Sequence, residues 1–396
     1  MLGREVVVVE AVRSAFGRAK KGTLAKTRPD DLLGMVYKGL LDRTGLDPAL
    51  IDDVITGCAF TEAEQGLNIS RTASVLGGVP LTVPAATICR YCASGSEAIH
   101  IAAGYIAAGM YDIVLAGGVD CQSFVPLGGV APDRAMNSNW YKIMNAHPQA
   151  HTMVQTAQYL AEKYDIPRAD LDEYAFNSHR KASAAAKAGK FKEYIIPVTV
   201  KNLEGQTVVF EDDDCIRHDG TLEKMKSLQG ICPPITKGFP ESRITAGNSC
   251  PVNDGAGAVL LMSAEKAKAL GYAPYVKIRA MASAGCGPWE MGYGPVPSTK
   301  KCLEKAGMTI GDIDLIEMNE AFASQCLVDV RELGIDMEKL NVNGGAIAIG
   351  HPFGATGCRL MTMITRELKE RSGAATGLIT MCVGGGQGTT TIVEKV

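Results

Sequence analysis

Residues 40–60 read LLDRTGLDPALIDDVITGCAF, and residues 302–322 read CLEKAGMTIGDIDLIEMNEAF. Gly45 and Gly307 lie 262 positions apart, and Phe60 and Phe322 keep the same offset. Ala93-Ser94-Gly95 returns as Ala355-Thr356-Gly357, again 262 positions on. A looser pair, Leu115-Ala116-Gly117-Gly118 and Cys382-Val383-Gly384-Gly385, follows after a few inserted residues. One offset kept through successive matches indicates a duplicated domain, because solenoids repeat every ~20–50 residues. The chain reads as a tandem pair.

Each copy alternates strand-like and helix-like stretches. Val6–Val9 is a run of β-branched residues, as expected for a strand in a sheet covered on both faces. Asp30–Thr44 carries Leu32, Leu33, Val36 and Leu40 at helical spacing and stops at Gly45. Ile55–Cys58, Ala86–Cys89 and Ile113–Ala116 read as strands, and Ser94–Gly109 as an Ala-rich helix. In the second copy, strands are predicted at Tyr275–Arg279, Leu315–Met318 and Leu378–Cys382, with helices at Lys300–Ala306 and Gly357–Leu368. Alternation of this kind implies α/β layers on a mixed or parallel sheet. Between the copies, Cys121 to about Arg243 is richer in Met, Asn, His and Lys, with helices predicted at Thr152–Tyr164 and Arg168–Ala188. The expected organisation is one half at 1–120 plus about 244–270, an inserted loop domain at 121–243, and a second half at 271–396.

The 396 residues are 46% hydrophobic and 21% charged, which is ordinary for a folded globular chain. Forty Lys and Arg against 43 Asp and Glu argue against a nucleic-acid or polybasic membrane partner. The longest uncharged run, Ser372–Val393, holds six glycines and five threonines and is unsuited to a lipid-facing helix. The Val6–Val9 run is shorter than a signal-peptide core and no small-residue cleavage site follows it, so a cytoplasmic location is expected. Twelve scattered cysteines without a secretory signal do not suggest a disulfide framework. Only Cys89 and Cys92 have CxxC spacing, and Pro148 breaks the helix that would align His147 with His151. No metal site is expected.

Four segments place backbone where it could approach a reacting group. Ile88–Gly95 runs from a strand into a helix, so Cys92 near the helix N-terminus is expected to favour the thiolate. It is a candidate nucleophile, although a cysteine here can equally be a packed one. Asn343–Pro352 sets His351 among glycines, either as a base or as a turn residue. Cys382–Gly388 puts a second cysteine beside backbone free to form a nest of N–H groups, without the Lys-Ser/Thr of a nucleotide loop. Asn319–Ala323 follows a predicted strand and offers an amide donor, or simply a helix cap.

Together these segments resemble the motifs of the thiolase family. Its nucleophile motif, Asn-Arg-x-Cys-[Ser/Ala]-Ser-Gly, corresponds to Cys89–Gly95, and its Asn-Glu-Ala-Phe, Gly-His-Pro and Cys-x-Gly-Gly-Gly motifs to Asn319–Phe322, Gly350–Pro352 and Cys382–Gly386. The order matches, and the resemblance runs from Glu5 to Val396. It implies an α/β fold of duplicated halves packed in layers with an inserted loop domain. It also implies thiolytic cleavage of 3-ketoacyl-CoA by CoA, or the reverse Claisen condensation, with CoA as substrate and no metal or organic cofactor. By resemblance, Cys92 is the nucleophile, His351 its base and Cys382 the second acid/base. Asn319 would hold a water that stabilises the thioester or enolate oxygen with His351, and the N–H groups of Cys92 and Gly384 would form a second oxyanion hole. The stretch Arg217–Met225 is similar to the family's CoA-binding segment, which implies roles for Arg217 and Lys224. Met153, Ala246, Cys250 and Phe322 sit in other matching segments. Family members form dimers, often paired into tetramers, and the strands near Ala86–Ile88 and Ile113–Gly118 are the expected contact.

Several residues depart from the family pattern. Cys89 stands for the usual Asn, Cys250 for a CoA-contacting Ser, and Asp120-Cys121 for Glu-Ser. Ser96-Glu97 replaces an apolar residue followed by Gln. These put acyl-chain preference in question, while Phe60–Gly66 and the ending around Gln387 look more like broad-range degradative members. Cys89 and Cys92 have the spacing of a redox pair, but a Cys89 that ends a strand is expected to pack into the sheet. A papain-like hydrolase would not need Cys382, a decarboxylating condensing enzyme would show a Cys-His-His set, and a non-catalytic relative would have lost Cys92 or His351.

Overall fold

The computed structural model describes residues 3–135, 137–144 and 152–396. The first half contains β1 (Val6–Arg13), β2 (Gly17–Arg18), α1 (Pro29–Thr44), β3 (Asp53–Gly57), α2 (Ile69–Leu76), β4 (Ala85–Ile88), α3 (Ser94–Ala107) and β5 (Ile113–Cys121). The intervening segment carries α4 (Pro132–Ala135), α5 (Ser138–Met144), α6 (Met153–Lys163), α7 (Arg168–Lys187), the β6–β7 hairpin (Val198–Lys201, Thr207–Phe210) and α8 (Leu222–Lys226). β8 (Asn253–Ser263) and α9 (Ala264–Ala269) return to the first half. The second half contains β9 (Val276–Gly285), α10 (Pro295–Ala306), β10 (Leu315–Met318), α11 (Ala323–Leu333), α12 (Ala346–Ile349), α13 (Phe353–Glu370), β11 (Thr376–Val383) and β12 (Gln387–Lys395).

The sheet displays the duplication. From the joint outward the first half runs β1-β8-β5-β3-β4 and the second β9-β12-β11-β10. β3 is parallel to β4 and β5, β10 is parallel to β11, and the other pairs are antiparallel. Leu340 makes a parallel bridge to Ile316, in the place that β4 holds beside β3. The halves join where Val7 and Val8 of β1 face Lys277 and Val276 of β9.

β1 extends well beyond the apolar run that announced it, because its charged residues are buried with partners. Arg13 donates to both oxygens of Asp213 at 2.7 and 2.8 Å and lies over the rings of Phe16, Phe191 and Tyr194. Val6 and Val8 point to a central core shared with α3 and α13, whereas Val7 and Val9 point to the core under α1. α1 begins with Pro29 at its first turn and ends at Gly45, whose φ of 65° lets its N–H reach Leu41 O.

The duplicated helices α3 and α13 cross where the repeat places its glycines. A Cβ on Gly95 would lie 2.3 Å from Gly354 O, and one on Gly357 2.1 Å from Ser96 N. The crossing brings the N-terminal ends of both helices together, and the chemistry-bearing segments precede them. One expectation fails here. β5 is hydrogen-bonded to β3 on one side and β8 on the other and is wholly buried, so Ile113–Gly118 cannot serve as an assembly face. β4 is an edge strand and partly exposed.

Candidate active site

Between β4 and α3 the chain makes a tight turn, Tyr91–Ala93, that carries Cys92. Tyr91 has a φ of 43°, a left-handed conformation that a non-glycine residue adopts at a cost of about 1–3 kcal/mol. Ser94 secures the turn: its Oγ accepts from Arg90 N at 2.9 Å and donates to Tyr91 O at 2.7 Å. Cys92 lines a cavity of about 720 Å³ with Phe60, Leu127, Trp140, Met153, Phe353 and Gly384 among its walls.

The expectation that Cys92 favours the thiolate is corrected. Burial pushes its pKa up to about 12, and Asp120 adds to the rise, while the backbone N–H groups of Gly384 and of Cys92 itself pull it back. Loss of water outweighs the backbone groups, so Cys92 needs a base to ionise it. Gly384 lies against the Tyr91 ring, and the two glycines that follow it have φ near 80°. That turn aims the Gly384 N–H at the Cys92 sulfur.

His351 sits between α12 and α13. Gly350 before it has a φ of 120°, and a Cβ there would lie 2.7 Å from Asn253, whose Oδ1 accepts from His351 N at 2.9 Å. The ring nitrogens are assigned by their partners. Thr356 Oγ1 donates to Pro352 O at 2.8 Å, so at 2.6 Å it accepts from His351 Nδ1–H. Nε2 therefore carries the lone pair, and Asn319 Nδ2 approaches it at 3.3 Å. Arg359 Nη2 holds Asn319 Oδ1 at 3.5 Å, which orients that amide. Burial, then Arg359, lowers the His351 pKa to about 3, so the imidazole is neutral throughout the working range. The ring packs edge-on against Phe353, 5.0 Å between centroids, and Phe353 shares the cavity wall with Cys92.

Cys382 lies one residue before the end of β11, fully buried, and burial raises its pKa well above the ordinary thiol value, Cys92 being the next influence. Cys250 and Phe322 occupy a strap across the site. Cys250 N donates to Ala321 O at 3.0 Å, Ser249 bridges Phe322, and Ala323 N donates to Asn248 O at 2.9 Å. Of the other sequence candidates, Met153 lines the cavity, whereas Ala246, Arg217 and Lys224 are exposed outside its lining. Cys89 is also exposed, contrary to the packed role expected of it; its thiol donates to Ala59 O at 3.3 Å and accepts from Tyr91 N at 3.5 Å. Cys89 follows β4, the partly exposed edge strand of the sheet. His147 and His151 lie outside the described residues. Among the described residues, no group of three or more His, Cys, Asp or Glu could hold a metal ion.

Sequence reading missed three residues that organise the site. Thr356 and Arg359 lie on α13, three residues apart, facing inward after the Gly-His-Pro segment. Their side-chain roles appear only once α13 is placed beside β10. Asp120 is the third: its Oδ2 accepts from Ala59 N at 2.9 Å and Gly354 N at 2.6 Å, and its Oδ1 accepts from Gln65 Nε2 at 2.9 Å. Burial raises its pKa to about 6, opposed by these N–H donors. The signal available in the sequence was its departure from the family's Glu.

Residues 6–265 match the family described as Thiolase, N-terminal domain, and residues 272–395 that described as Thiolase, C-terminal domain. The chain is 44% identical over 400 residues to a 3-ketoacyl-CoA thiolase of Bacillus subtilis, covering 99% of each chain. It is 42% identical over 403 residues to an acetyl-CoA acetyltransferase of Chromobacterium violaceum, covering 99% of this chain and all of the relative. Among solved structures it is similar to human mitochondrial 3-ketoacyl-CoA thiolase, with a TM-score of 0.90, 34% identity and full coverage of both chains. It is also similar to the acetyl-CoA acetyltransferase of Bacillus anthracis, with a TM-score of 0.88, 36% identity and full coverage of both.

Proposed function

The chain belongs to the thiolase family, and from that premise we propose that Cys92, His351, Cys382, Asn319 and Gly384 divide the chemistry of acyl transfer between CoA thioesters. The enzyme is an acyltransferase that cleaves 3-ketoacyl-CoA with CoA or runs the reverse Claisen condensation. The observation that carries the division of roles is the neutral His351 with its Nε2 lone pair, in a site where burial holds both Cys92 and Cys382 as thiols. His351 takes the Cys92 proton, and the sulfur attacks the 3-keto carbon. Collapse of the adduct breaks the carbon–carbon bond and leaves acyl-Cys92 and an acetyl-CoA enolate. Cys382 protonates the enolate, and a second CoA removes the acyl group. A water held by Asn319 serves, with His351, the thioester or enolate oxygen, and the N–H groups of Cys92 and Gly384 serve the second oxyanion.

Thr356→Val tests the His351 assignment, since it keeps the volume but removes the oxygen that fixes Nδ1–H. We expect kcat to fall roughly 10- to 100-fold with KM within about threefold, as for loss of a group that orients a catalytic base. Unchanged kcat would mean that the Thr356 contact does not orient a catalytic His351, and unchanged kcat in His351→Ala would remove His351 as the base.

The acyl group favoured by the cavity is medium or long. Phe60, Leu127, Pro132, Trp140, Pro288 and Phe353 give it apolar walls. Each methylene buried there contributes about 0.8 kcal/mol, so kcat/KM should rise about fourfold per added carbon while the chain stays inside. Acetoacetyl-CoA compared with 3-ketohexanoyl- and 3-ketooctanoyl-CoA reads this directly. A fall from the shortest substrate onward would favour a short-chain, biosynthetic acetyl-CoA C-acetyltransferase, and product formed without CoA would favour a thioester hydrolase.

The same reading divides the chain into halves at 1–120 with about 244–270 and at 271–396, with the inserted domain 121–243 presenting Met153, Arg217 and Lys224 to CoA beside Ala246, Cys250 and Phe322. Assembly as a dimer or tetramer is supported by the partly exposed edge strand β4; an active monomer in sedimentation would exclude it. Cytoplasmic residence fits CoA thioesters as substrates and cysteines that are all unpaired thiols. No helix among the described residues is long and apolar enough to cross a membrane.

A further inference from the structure

Behind Cys382, one turn of α11 carries two polar side chains that no step above uses. Gln325 Nε2 donates to Asp329 Oδ2 at 2.6 Å, and Gln325 Oε1 accepts from the thiols of Cys326 at 3.6 Å and Cys382 at 3.9 Å. Both residues are fully buried, and Asp329 Oδ1 has no hydrogen-bond partner among the described residues. A buried carboxyl oxygen without a partner is costly, and packing of α11 alone would be served by an apolar side chain.

The surroundings of both groups can be named. Cys382 is faced by Cys92 from the turn before α3, Cys250 from the strap, and Cys326 and Asp329 from α11. Asp329 is faced by Gln325 and Glu332 on its own helix, by Cys286 after β9 and by Tyr164 at the end of α6. None of these is a cation. Burial raises the Asp329 pKa above the ordinary carboxylate value, opposed by the Gln325 N–H that Oδ2 accepts, and Glu332 adds to the rise.

We propose that Asp329 is a positioning residue for proton transfer: it turns the Gln325 amide so that its oxygen, rather than its nitrogen, meets Cys382 and holds that sulfur as a thiol. The inference rests on the proton-transfer role given to Cys382 above. In cleavage, the Cys382 proton passes to the α-carbon of the acetyl-CoA enolate, the enolate π pair forms the new C–H bond, and the S–H pair stays on sulfur. The thiol proton of the incoming CoA then restores Cys382. An amide oxygen facing the sulfur disfavours the thiolate, so the acid is fully loaded before each cleavage and the thiolate is a strong base when the reaction runs in reverse.

Asp329→Asn offers Gln325 an amide that donates as well as accepts and so permits the flip. The pH at which Cys382 becomes half-maximally reactive to iodoacetamide, read by peptide mapping, should fall by about one unit or more. Cleavage requires the thiol, so the alkaline limb of the cleavage rate should move to lower pH with it. A folded variant with both values unchanged makes Asp329 a packing residue and overturns the inference. Should Asp329→Asn not fold, Gln325→Met, which removes the amide oxygen at similar volume, carries the same two readouts. Should neither fold, wild type decides, because a Cys382 midpoint at or below the free-thiol pKa of about 8.5 overturns the inference. Cys382→Ser run in parallel separates the two levels. If it still cleaves, the role of Cys382 fails; if it is inactive while Asp329→Asn is unshifted, only the inference fails.

Discussion

Replacement of Cys92 by alanine is expected to lower kcat for 3-ketoacyl-CoA cleavage by about 10⁴-fold or more, because loss of a covalent nucleophile leaves only binding and the oxyanion donors. The fold should survive, since the turn that carries Cys92 is held by the Ser94 hydroxyl. The same experiment has a positive arm in wild type. After brief exposure to acyl-CoA, the acyl mass should be found on the peptide carrying Cys92. Label on Cys89 or Cys382 with Cys92 unmodified would reassign the nucleophile, and Cys89 is a demanding control because it is the exposed thiol of the pair.

Cys382→Ser should separate the two half-reactions. A serine hydroxyl is a far weaker acid than a thiol, so protonation of the enolate fails and cleavage should fall roughly 10³-fold. Acylation of Cys92 by acyl-CoA needs His351, the oxyanion donors and no enolate, and should persist within about tenfold. Equal loss of both would mean that Cys382 builds the site and moves no proton.

The duplication was legible because it is written as an offset in one dimension, and the sheet repeats it as a strand order. Two helix ends were legible, since α1 and α10 stop at Gly45 and Gly307, whose φ values of 65° and 67° only glycine adopts cheaply, whereas α10 starts at Pro295, five residues before the expected Lys300. The conformation of Tyr91 was not, since nothing in a tyrosine announces a positive φ; the surrounding turn imposes it. Cys89, read as a packed strand end, is exposed because β4 before it is the edge strand of the sheet. The ionisation of Cys92 was misread for a related reason. A helix N-terminus is visible in sequence, whereas the loss of water around a sulfur depends on segments far away in the chain. Asp120 and Gly354, 234 positions apart, meet at 2.6 Å, and no local pattern encodes such a contact.

The pairing of β1 also bears on how the chain is made. Val6 lies opposite Ser263 on β8, and Val7 opposite Lys277 on β9, so the first strand waits for more than two hundred residues before either neighbour exists. At about 5–20 residues per second, synthesis of that stretch takes about 13–50 s. For that interval an eight-residue apolar-rich segment leaves the ribosome with both hydrogen-bonding edges open. Contacts so distant in sequence also make folding slow once the chain is complete. Overexpression, which raises the concentration of chains with β1 still unpaired, should therefore lower the soluble yield through aggregation while leaving the Tm of the folded protein unchanged.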